Sequence, residues 1–282
     1  MRIVVVSIGV LVVASLLPAG ASAGELELAG YLGPVFPFYE QSFEFDPGNL
    51  SGLPPNVSVE QQDIFRLDAH GGLALGAGAS WQFAPWFGLE ARVDTADVSA
   101  QVTGARYLVR VDLPGPLPDL TNELVIGGGD ASLHRLYPVS LNVRARTPGR
   151  TRVGASAGIS YLPSFSFEIV QRVTLQPPAP LPAVEARVTL AAEALPQEQE
   201  EGRLGANAGV FVQVGIGERA AIVAEGRYFH FGRQTLVWGI PRVEPELPLI
   251  GEAVVEEIAG RLDPVDFNPT FFQLTAGLTL RF

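Results

Sequence analysis

The sequence predicts an all-β protein: an eight-stranded antiparallel up-and-down transmembrane β-barrel, with short periplasmic turns at one end and four long extracellular loops at the other. Three observations predict it. Eight segments alternate apolar with small or polar residues, the period-two signature of strands. The connections between them are alternately short and long. After the first residues no run of about 18 apolar residues remains that could cross a membrane as a helix.

The elements follow in chain order. Arg2, an apolar run over 3–17, Pro18 and then Ala21, Ser22 and Ala23 have the form of a secretory signal peptide, with cleavage expected after Ala23. Residues 1–23 are therefore read as a signal peptide and 24–282 as the barrel domain; an uncleaved anchor helix is the alternative. In the first strand Leu26, Leu28, Gly30 and Leu32 alternate with Glu25, Glu27 and Ala29. The second is long, with Leu67, Ala69, Gly71, Leu73 and onward to Phe83 on one face and Arg66, Asp68, His70, Gly72 and onward to Gln82 on the other. The remaining six are placed at 87–94, 139–146, 152–161, 203–214, 222–230 and 272–282.

One face of each strand carries large aliphatics and the other Gly, Ser, Thr, Asn and Gln with interspersed Arg and Glu. A soluble sandwich would bury the apolar face; here it suits lipid, and the small polar face suits a narrow interior. About ten residues per segment is the length a tilted strand needs to cross the hydrocarbon. Closure into a barrel is what satisfies every backbone group in lipid. Tight turns near Pro85, Pro148 and 215–219 contrast with loops over 40–61, 98–131, 173–202 and 239–268. Residues 106–112 and 132–137 still alternate, so strands three and four are expected to project as a hairpin. Residues 167–175 and 184–190 flank a proline-rich tip and suggest a second projecting hairpin, or two further strands of a ten-stranded barrel. The polar stretch 196–201 resembles none of the short turns and favours eight.

Composition excludes several functions. The chain has 282 residues, 19 basic residues that are all Arg, 30 acidic residues, no Cys and a net charge of −11. No disulfide framework or thiolate site is possible. No basic track exists for nucleic acid. The last eleven residues, FQLTAGLTLRF, place apolar residues at every second position back from Phe282. This looks like the terminal strand by which bacterial outer-membrane barrels are recognised by their assembly machinery. The stretches WFGLEAR at 86–92 and AEGRY at 224–228 resemble strands of the small OmpA/OmpW-like outer-membrane β-barrel family. The resemblance implies a Gram-negative-type outer membrane as the location. It implies outer-membrane lipid, lipopolysaccharide and the assembly machinery as partners. For function it implies a structural anchor, an adhesin or a small-molecule conduit.

The strongest chemical constellation is the expected lumen. Strand polarity places Glu25, Glu27, Glu90, Arg92, Arg144, Arg146, Arg152, Glu225, Arg227 and Arg281 inside. An eight-stranded interior is just wide enough for side chains to fill, and charges there should pair, because an unpaired buried charge costs several kcal/mol. The cluster reads as a salt-bridge plug or as a gated ion path whose pairs exchange partners. Catalysis has little support: of three histidines, His230 shares lipid-facing parity with Tyr228, His70 shares lumen parity with Asp68, and His134 lies near Asp130 and Ser132. A rim hydrolase using His134 or His70 is the weakest of three readings, behind a surface-interaction scaffold and a narrow-pore or apolar-solute transporter. No cofactor or metal is expected. The acidic residues of the last loop (Glu244, Glu246, Glu252, Glu256, Glu257, Asp263 and Asp266) lack a calcium-loop spacing and read as a solvated face. Trp81, Phe83, Trp86, Phe87 and Phe282 should form one interfacial aromatic band, and Tyr161, Tyr228 and Phe229 the other.

Overall fold

The computed structural model describes residues 24–43, 56–112, 120–126, 129–133, 136–163, 167–176, 184–194, 202–244 and 264–282. The signal segment, His134, the stretch 196–201 and most of the acidic last loop lie outside them. The described strands are β1 (Glu25–Pro37), β2 (Glu40–Phe43), β3 (Val57–Gln61), β4 (Phe65–Ala84), β5 (Phe87–Thr103), β6 (Ala105–Val111), β7 (Leu120–Ile126), β8 (Gly129–Leu133), β9 (Val139–Arg146), β10 (Thr151–Leu162), β11 (Phe167–Gln176), β12 (Val184–Ala194), β13 (Arg203–Gly215), β14 (Ala220–Phe231), β15 (Gln234–Glu244), β16 (Val265–Phe267) and β17 (Phe271–Arg281).

Eight of them close a ring by antiparallel pairing, in the order β1, β4, β5, β9, β10, β13, β14, β17 and back to β1. Following the partners once around leads from Glu25 through Gln82, Gly88, Arg144, Ser156, Gly209, Arg227 and Gln273 to Val35. The register thus advances from residue 25 to residue 35 of β1 per circuit, a stagger that tilts the strands by about 40°. The β11–β12 hairpin stays out of this ring, because β10 pairs directly with β13 from Thr151↔Val214 to Leu162↔Arg203. The barrel has eight strands.

The outer wall is apolar. Leu204, Val210 and Ile159 are 71%, 66% and 61% exposed, and Leu28, Leu141, Ile222 and Leu278 also face outward. Exposing so many large aliphatics to water would be costly; a hydrocarbon surrounding makes it favourable. Aromatics bound this band. At the short-turn end Trp81, Phe83, Trp86 and Phe87 touch in series at 5.3–5.6 Å between rings, and Phe282 stands at the same level. At the other end Phe36 meets Phe272 and Phe38 meets Tyr228, each at 6.4 Å. The strand from Phe272 to Phe282 is about 33 Å long; tilted, it spans about 25 Å, the height of a membrane-barrel apolar belt.

Just past this belt seven of the eight wall strands are interrupted, each at Pro or Gly: after Pro37, at Gly71 and Gly72, and at Pro138, Pro163, Gly202, Gly232 and Pro269. Allowing for the strand tilt, these breaks fall within about two residues of one level. Proline removes a ladder donor and glycine weakens or bends a strand. Only β5 passes through without a break or bulge. Beyond the waist the neighbour order of the barrel resumes as β2, β4, β5, β8, β11, β12, β15 and β16. The Tyr39 hydroxyl reaches the Asp266 carbonyl at 3.4 Å across the β2/β16 seam. A side sheet of β3, β6 and β7 attaches to β11. This outer tier has its own core of Phe65, Leu67, Tyr107, Leu136 and Leu236.

Three expectations need correction. On β4 the register slips between Gly71 and Ala74 against Val98 and Ala96 of β5. One extra residue inverts the faces. Phe65 and Leu67 are therefore buried, whereas Arg66 and His70 are exposed, so His70 does not line the lumen. Phe229 belongs to no outer aromatic band; it is buried inside the waist, stacked at 4.8 Å on Phe271 and parallel to Phe231. Finally, residues 106–112 do not continue a projecting hairpin of strands three and four. That hairpin is β5 with β8, whereas β6 pairs with β3 and β7.

Candidate functional site: the filled lumen

The inward face of each barrel strand meets the axis, so the alternation decides which side chains converge there. The inward residues include Glu25, Glu27 and Tyr31 of β1, Glu90, Arg92 and Asp94 of β5, and Arg144 and Arg146 of β9. Arg152 of β10, Phe211 of β13, Glu225 and Arg227 of β14, and Arg281 of β17 complete the set. They sort into two linked layers.

The lower layer lies by the short turns. Arg146 grips Glu27 at 2.6 Å and Glu25 at 2.9 Å. Arg152 reaches Glu27 at 3.0 Å, and Arg281 stands 3.3 Å from both carboxylates. The upper layer has Arg227 on Glu90 at 2.6 Å and on Glu225 at 2.6 Å. Arg92 spans from Glu225 at 2.7 Å to both oxygens of Asp94 at 2.8 Å from its Nε. Arg144 stands between the layers, 3.7 Å from Glu27 and 3.8 Å from Glu90. Two guanidinium groups also lie over rings: Arg92 over Tyr31 at 4.0 Å and Arg144 over Phe211 at 3.9 Å. The ring faces are electron-rich and take part of the charge that carboxylates leave uncovered.

Polar side chains add hydrogen bonds to the network, although the buried amides of Gln82, Gln213 and Gln273 bond to no protein group among the described residues. Asn142 donates to Glu90 at 3.0 Å, Arg227 donates to Asn207 at 2.9 Å and to Ser156 at 3.0 Å, and Asn207 donates to Ser160 at 2.9 Å. Small residues make room: a Cβ at Gly76 would collide with the Asp94 carboxylate, and one at Gly209 would stand 2.9 Å from Glu225.

The most buried members balance in charge. Arg92, Arg144, Arg146 and Arg227 oppose Glu27, Glu90, Asp94 and Glu225, and each of the eight is at most 6% exposed. Above them Val35, Ala74, Ala96, Leu162, Phe229 and Phe271 form an apolar layer at 0–2% exposure.

All ten residues singled out in the sequence lie in this one network. Three further charged or aromatic members were missed. Asp94 shares the inward parity of Glu90 and Arg92, so the alternation could have found it. Tyr31 and Phe211 share inward parity as well, but the apolar-out rule gives no reason to look for rings inside. Elsewhere, His230 faces outward with its Nδ1 3.1 Å from the Thr270 hydroxyl, which donates to Asn268. Asp266 accepts from Arg233 and Thr235 on the rim. Among the described residues no group of three or more His, Cys, Asp or Glu is arranged to hold a metal.

No family model and no curated protein matches the chain. Solved structures do resemble it. One is the outer membrane protein OprG from Pseudomonas aeruginosa, at 14% identity, covering 93% of this chain and 98% of that one with a TM-score of 0.42. Another is the outer membrane protease OmpT from Escherichia coli, at 10% identity, covering 94% and 99% with a TM-score of 0.31. A third is a FadL homologue of Pseudomonas aeruginosa, at 10% identity, covering 91% and 90% with a TM-score of 0.19.

Proposed function

We propose that this chain is an outer-membrane barrel of the OmpA/OmpW-like kind that acts as a closed scaffold and presents its outer tier to the surroundings. One observation carries the reading: the lumen is filled by a charge-balanced, hydrogen-bonded network of buried side chains with an apolar layer above it. A conducting path needs a continuous wettable surface, whereas here each buried guanidinium faces at least one buried carboxylate. The short turns face the periplasm on this reading, and the elaborated end faces outward. A solute conduit is the competing reading. Swelling of vesicles containing the refolded chain separates them: the scaffold predicts swelling in small sugars no faster than protein-free vesicles, and fast swelling would make the chain a transporter.

A further inference from the structure

We infer that the rim of short turns is a docking surface for anionic phospholipid headgroups. The inference rests on the barrel spanning a membrane with this rim at one interface. Arg150 and Arg219 stand exposed on the β9–β10 and β13–β14 turns. Among the described residues Arg150 spends only its Nε, donating to the Gly215 carbonyl at 3.0 Å, and this bond ties the two turns together. Arg219 is held by its backbone, whose carbonyl accepts from Arg281 N at 2.8 Å. The outward nitrogens of both guanidinium groups form a planar fork suited to phosphate oxygens. Half-buried Arg152 and Arg281 lie beside them and are occupied by Glu25 and Glu27.

The level is right for headgroups. Phe83, Trp86, Ile216 and Phe282, between 47% and 70% exposed, surround the same rim, and such side chains sit at the boundary of hydrocarbon and headgroups. The sign is right too. Among the described residues, the barrel and its short turns carry nine Arg and six carboxylates, whereas the tier beyond the waist carries seven Arg and thirteen carboxylates. An anionic lipid surface is attracted to the first end and repelled by the second.

The test measures how strongly spin-labelled phosphatidylglycerol, relative to spin-labelled phosphatidylcholine, associates with the refolded full chain in phosphatidylcholine vesicles. The wild type should prefer phosphatidylglycerol. The preference should fall about fivefold for Arg219→Gln and further, toward no preference, for Arg150→Gln with Arg219→Gln. Arg150→Lys with Arg219→Lys should keep most of it, and Arg66→Gln in the outer tier should not change it. Among the described residues Arg219→Gln removes no side-chain bond, so it remains informative if the double variant fails to fold. No preference in the folded wild type, or an unchanged preference in the folded Arg219→Gln protein, overturns the inference. A wild type that never gives the heat-modifiable band of a folded barrel overturns the underlying membrane-barrel reading instead.

Discussion

Glu90 shows what a single buried charge does here. It accepts from Arg227 at 2.6 Å and Asn142 at 3.0 Å and stands 3.8 Å from Arg144, all without access to water. Glu90→Ala leaves Arg227 and Arg144 short of a counter-charge, and removing one partner of a buried pair costs about 3–5 kcal/mol. Urea unfolding in micelles should show that loss, and Glu90→Ala with Arg227→Ala should cost less than the two single changes summed, since they share one interaction. Additive losses would mean that the two residues do not support each other. Gly76 gives a steric counterpart. Gly76→Val drives a side chain into the Asp94 carboxylate and should cost about 1–3 kcal/mol by overpacking, measured by the same unfolding midpoint. The charged pairing partners were legible in the sequence because parity alone selects them. Asp94 obeyed the same parity. Phe211 and Tyr31 did not announce themselves, because a ring inside a polar lumen earns its place through the guanidinium above it, a contact across strands that no local pattern encodes.

At the scale of elements, the eight wall strands and their short turns were legible because lipid on one side and a packed lumen on the other enforce a strict period of two. The β4 bulge was not. From Leu67 to Phe83 the alternation looks unbroken, since Gly71 and Gly72 carry no side chain to reveal which way they point. The strands of the outer tier were only partly legible, because water on one face and a small core on the other relax the pattern. Deleting Gly72 makes the role of the bulge testable. It would restore a single parity along β4 and turn Arg66 and Asp68 toward Phe65's neighbours in the outer core. Hydrogen exchange should then quicken in β3, β6 and the upper half of β4 while β9 and β10 stay protected. Unchanged protection in the outer tier would show that the bulge does not set its register.

For the whole molecule, the waist of Pro and Gly residues divides a membrane barrel from a water-facing tier that repeats its strand order. The lower body is locked by ion pairs and enclosed by lipid; the upper one relies on a smaller apolar core. A closed scaffold requires that the lower body pass no ions. Planar-bilayer recording of the refolded chain, beside an Arg92→Ala, Arg144→Ala variant, tests it most directly. A closed barrel gives a silent wild type, with any current confined to the variant, whose loss of two arginines empties space and leaves Asp94, Glu90 and Glu27 under-paired. Steady channels in the wild type, with a conductance that the variant alters, would contradict it and make the charged lumen a pore.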